Sequence, residues 1–146
     1  MNSSLGRSLV FAAALVASSI PALQAHHSFA AEYDNNKPIN FKGVVKKVGW
    51  VNPHAYIWVD TTDASGKSVT WALESLSPNA LSRQGWTKNS LKEGDQVTVE
   101  GFAAKDPRPL ADGSTHGNAR SFILANGKRV YSGNAEDGGP GATAVK

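Results

Sequence analysis

Three strand signals, one short capped helix and two to three further strand signals, in that order, predict an all-β fold with one short helix. A helix between the third and fourth strands is the order of an OB-fold. The expected architecture is therefore an OB-fold-like Greek-key barrel of five to six strands. Two observations agree with it. The second and third strands fit each other in one register, and the chain has the size of a single small core.

The first strand is read over residues 41–51, with Gly43 and Gly49 at bends. Asn52-Pro53 interrupts it, because proline has no N–H for a ladder. Residues 54–60 alternate and form the second strand; residues 68–74 form the third. A three-residue loop, Ala64-Ser65-Gly66, with Gly66 left-handed, joins them. It sets Thr61 opposite Val69, Val59 opposite Trp71 and Ile57 opposite Leu73, an almost wholly apolar face. Tyr56, Trp58 and Glu74 then share the other face, with His54 diagonal to Glu74. A slip of one residue would mix the two faces.

Ser77 is placed to cap a helix that starts at Pro78 and stops at Gly85. Residues 86–91 form a further turn, and residues 96–101 a fourth strand with Val97 and Val99 inward. Residues 105–118 read as a loop rich in Pro, Gly and Asp, and His116 as a loop residue without a role. Residues 120–124 form the fifth strand, and Asn126-Gly127 turns the chain into residues 129–131.

Upstream of the strands, Arg7, an apolar run over residues 9–16 and Leu23-Gln24-Ala25 have the layout of a signal peptide, residues 1–25. The expected location is periplasmic. A polar lead-in, residues 26–40, precedes the barrel domain, residues 41–133, and a Gly-rich tail, residues 134–146, is expected to be disordered. Cleavage after Ala25 would make His26 the amino terminus, and an α-amine beside the imidazoles of His26 and His27 chelates Cu(II), Ni(II) or Zn(II). Ser28-Phe29-Ala30 offers a second cleavage point, which would remove both histidines.

Composition narrows the chemistry. There is no cysteine, and the one methionine is Met1, so thiolate sites, disulfides and soft sulfur ligands are excluded. A metal site must use nitrogen and oxygen, which suits Cu(II) or Zn(II). Losing residues 1–25 removes Arg7 and lowers the net charge from +3 to +2. That is too mild a charge for nucleic acid, and nothing after the signal is long enough for a membrane span.

Two functions fit these residues. In the first, His26, His27, His54 and Glu74 hold Cu(II) or Zn(II), in an arrangement resembling a histidine brace, and the protein handles or delivers metal in the periplasm. Here His54 reads either as a ligand or as a turn histidine after Asn-Pro, and Glu74 either as a ligand or as the partner of a nearby Lys or Arg. In the second, Trp50, Asn52, Tyr56 and Trp58 form an aromatic face for a partner protein or small ligand, and no metal is involved. Enzymatic activity is not expected: there is no G-x-S-x-G motif, and Glu74 has no second carboxylate near it in sequence.

Several segments together carry a family resemblance. They are His26-His27-Ser28-Phe29-Ala30-Ala31-Glu32-Tyr33-Asp34, Trp50-Val51-Asn52-Pro53-His54-Ala55-Tyr56-Ile57, Trp71-Ala72-Leu73-Glu74, Ser77-Pro78-Asn79-Ala80-Leu81 with Gly85-Trp86-Thr87, and residues 94–101. In combination they resemble a group of small exported bacterial proteins defined as a domain of unknown function, DUF6152. The resemblance spans roughly residues 26–131. It implies export and a single β-rich domain, and supplies no activity.

Overall fold

The computed structural model describes residues 29–133. Its elements are α1 (Phe29–Glu32), β1 (Tyr33–Gly49), β2 (Tyr56–Thr62), β3 (Ser68–Glu74), α2 (Pro78–Arg83), β4 (Gln96–Ala104), β5 (Thr115–Leu124) and β6 (Arg129–Tyr131). β1 pairs antiparallel with β2 and β4, β2 with β3, and β4 with β5. β3 and β5 run parallel, which closes the circuit β1-β2-β3-β5-β4 into a five-stranded barrel with OB connectivity. β6 adds to the second half of β5, outside the circuit.

The β2–β3 hairpin has the expected register, from Tyr56 opposite Glu74 to Thr62 opposite Ser68. Gly66 takes φ 85°, where a residue with a Cβ is strained, and the Asp63 N–H donates to Lys67 O at 2.9 Å. Ile57, Val59 and Leu73 consequently point into the core beside Val45, Val99 and Phe122. Leu81 of α2 and Trp86 pack into the same core.

The Ser77 side chain accepts from the Ala80 N–H at 3.3 Å, Pro78 opens α2, and Gly85 follows it at φ 87°. Ser77→Ala orphans one helical donor and is expected to lower stability by about 1 kcal/mol. Thermal unfolding checks this; an unmoved midpoint would show that the cap contributes nothing.

Three strands, β1, β4 (which runs to Ala104 rather than residue 101) and β5, are longer than their local sequence suggests. β1 starts at Tyr33 rather than residue 41: Tyr33 pairs with Ala104 and Pro38 with Phe102, and residues 34–37 bulge out between them. Tyr33, Phe102 and Ala104 form a second apolar cluster, with Phe29 packed on it. The expected polar lead-in therefore forms, from Phe29 onward, a strap along the extended end of β4. β5 starts at Thr115 rather than residue 120, because its first residues find a parallel partner in β3. No helix among the described residues is long and apolar enough to cross a membrane. The expected signal segment, His26, His27 and the expected tail lie outside the described residues.

Candidate metal centre

Glu74 is the last residue of β3, directly opposite Tyr56. Its carboxylate is buried and surrounded by donors. The hydroxyls of Tyr33 and Tyr56 donate to the same oxygen, Oε2, at 2.7 and 2.8 Å. His54 Nδ1 lies 2.5 Å from the other oxygen, Oε1. His54 remains half exposed; in its neutral form it donates Nδ1–H to the carboxylate and carries its lone pair on Nε2. A carboxylate that fixes the tautomer of an imidazole in this way is a common support for metal-ligating histidine.

His116 comes to Glu74 from the other side. The parallel pairing sets it beside Ala72, and its side chain is only 12% exposed. Its Nε2 lies 3.1 Å from the Tyr33 hydroxyl and 3.9 Å from Glu74 Oε2. Tyr33 has a single hydroxyl proton, and it is directed at Glu74. The contact from His116 Nε2 is therefore an N–H donated to the phenol oxygen. In its neutral form His116 then carries its lone pair on Nδ1, 3.9 Å from Glu32 Oε1; in its charged form Nδ1–H would pair with that carboxylate. With His116 neutral, two acceptors face each other there. One donor atom from each of Glu32, Glu74 and His116 lies within 4.8 Å of the others.

Burial alone would raise the Glu74 carboxyl. The His116 ring, the two tyrosine hydroxyls and the charge of His54 outweigh burial and hold it down to about 2. The same arrangement drives both phenols above the usual tyrosine range, through their burial and the adjacent Glu74 charge and hydrogen bond. At neutral pH Tyr33 and Tyr56 thus remain donors and Glu74 an anion. An open groove reaches these groups, walled by α2 on one side and by residues 104–110 on the other.

The candidate residues read from sequence divide as follows. His54 and Glu74 are in contact, with Tyr56 beside them. Trp58 adjoins Tyr56 at 5.9 Å between centroids, carries Lys47 over its ring, and donates from Nε1 to Asp112 at 3.0 Å. Trp50 lies apart from that pair, packed on the core with its ring edge-on to Trp86 at 6.4 Å. Asn52 is exposed beside the cis Asn52-Pro53 bond.

Three residues of the cluster were not singled out from sequence. Glu32 and Tyr33 come from the strap, and His116, read as a loop residue, sits on β5. His116 is joined to Tyr33 across 83 positions of sequence and Tyr33 to Glu74 across 41. No local pattern reports contacts of that range. The one available signal was chemical: His116 is among only four histidines in the chain.

No curated protein and no solved structure matches this chain. Residues 13–118 match a family of unknown function, DUF6152, which takes in Glu32, His54, Glu74 and His116. The match extends over more than half of the chain, and the protein belongs to that family.

Proposed function

We propose that this protein binds a divalent transition metal, Cu(II) or Zn(II), between Glu32, Glu74 and His116, with His54 positioned through Glu74. The reading is carried by the convergence of one donor atom each from Glu32, Glu74 and His116 within 4.8 Å, with Glu74 ionised at neutral pH. Two carboxylates and a neutral imidazole repel one another less once a cation lies among them. Mixed nitrogen and oxygen donors suit Cu(II) and Zn(II). The groove keeps the position open to exchange, which agrees with a handling or delivery role in the periplasm. An aromatic binding face has less support, because Trp50 is spent on the core and the Trp58 ring is already covered by Lys47.

Isothermal titration of the purified protein with Zn(II) and Cu(II) tests the reading. One equivalent is expected to bind. His116→Ala is expected to weaken binding at least tenfold, about 1.4 kcal/mol. His54→Ala is expected to weaken it as well, through the lost hold on Glu74. Unchanged affinity in the His116 variant would end this assignment; unchanged affinity in the His54 variant would remove His54 from the site.

A further inference from the structure

Glu32, Glu74 and His116 offer three donor atoms, and Cu(II) or Zn(II) takes at least a fourth. The groove that these residues line has a volume of about 1330 Å³. That is above the roughly 300–1,000 Å³ usual for a small-molecule pocket, and a metal ion with one water would fill a small part of it. Leu76, Ala80 and Leu110 add apolar surface to the lining. Its charge decides what could share the groove with a metal. Three acids line it, Glu32, Glu74 and Asp106, and three bases, Arg83, Lys105 and Arg108. With both imidazoles neutral these charges cancel, so a bound divalent ion would leave the lining with an excess of two positive charges. The three bases are not equivalent. Arg108 is closed onto Asp106 through both Nε and Nη2. The Lys105 ammonium donates to the Ala30 carbonyl. Arg83, in the last turn of α2, is exposed, and its guanidinium has no hydrogen-bond or ion-pair partner among the described residues. Such a planar fork matches a carboxylate, which it holds through two parallel hydrogen bonds.

We propose that the groove takes its metal together with a small organic dicarboxylate. One carboxylate fills the open position on the metal and the other pairs with Arg83. The proposal rests on the metal reading above and names what accompanies the ion. A dianion cancels the charge that the metal adds. A short hydrocarbon link between two carboxylates suits the apolar lining, and inorganic phosphate has no such link. The coupling is reciprocal: the dicarboxylate raises the affinity for metal by the same factor as the metal raises the affinity for the dicarboxylate.

Isothermal titration tests this in two stages, first with Zn(II) alone and then with organic acids added to the Zn(II)-loaded protein. The acids are succinate, glutarate and adipate, with butyrate as the single-carboxylate control and inorganic phosphate as the rival anion. The best dicarboxylate is expected to bind at least tenfold more tightly than butyrate, and at least tenfold more tightly than it binds metal-free protein. Arg83→Gln is expected to keep the native Zn(II) affinity and to lose the advantage of the dicarboxylate over butyrate. No advantage in the native protein, or an undiminished one in Arg83→Gln, would overturn the proposal and leave the metal site standing. Phosphate binding more tightly than every dicarboxylate would overturn the ligand class. Failure at the first stage, with no Zn(II) bound, would end the metal reading and this proposal with it.

Discussion

Glu74→Gln is expected to be about 3 kcal/mol less stable than the native protein at neutral pH, and the gap is expected to close in acid. Glutamine is a neutral stand-in for the protonated carboxyl. The Glu74 carboxyl is held at about 2 against an ordinary value of 4.5. Its charged form is therefore favoured by folding, and the shift corresponds to roughly 3 kcal/mol. The sign follows from the lowered value. The contribution is fully present above about pH 4.5, where the unfolded chain is also ionised, and it is lost as pH falls through that range towards 2. Urea unfolding of both proteins between pH 7 and pH 2.5 checks this. A difference that stayed constant across the range would show that the ionised carboxylate is not what the tyrosines and histidines stabilise. The same substitution should abolish the proposed Zn(II) binding, since an amide oxygen is a poor replacement for a carboxylate ligand.

This carboxylate also shows which parts of the molecule were legible in sequence. The β2–β3 pairing followed from strict alternation and one glycine turn, and it placed Glu74 beside Tyr56 and within reach of His54. α2 followed from Ser77, Pro78 and Gly85, each acting on its own few neighbours. Those are local effects with local signatures. The partners that complete the site obey a different logic. Residues 34–38, Asp-Asn-Asn-Lys-Pro, have poor strand propensity, yet β1 continues through them because Tyr33 and Phe29 bury rings against Phe102 at the end of β4. Thr115 to Asn118 read as part of a loop, yet they complete the barrel by pairing with β3. Closing the barrel in this way carries His116 to Glu74. Tertiary pairing overrode local preference at both places, and both supply site residues.

Gly101→Ala is expected to be the most disruptive single methyl addition in the domain, lowering stability by about 3 kcal/mol or more. Gly101 sits on β4 at a register shift, opposite Ala119 of β5, and also pairs with Ile39 of β1. A Cβ there would lie 1.9 Å from the Asn118 carbonyl oxygen and 2.9 Å from its carbon. The obstacle is backbone, so no side chain can turn aside to relieve it. β4 and β5 would have to separate where the barrel is held from both sides. Gly66→Ala is the control: Gly66 needs its positive φ, but nothing stands within 4 Å of the added carbon. Its loss should stay near 1 kcal/mol. Urea midpoints compare the two, and equal losses would mean that β5 yields freely at Asn118. The displacement also reaches the proposed metal site, because His116 is two residues from Asn118 on the same strand and owes its place to the β3–β5 pairing. Zn(II) affinity should accordingly fall in Gly101→Ala under conditions where the variant remains folded, while Gly66→Ala, remote from that pairing, should keep it.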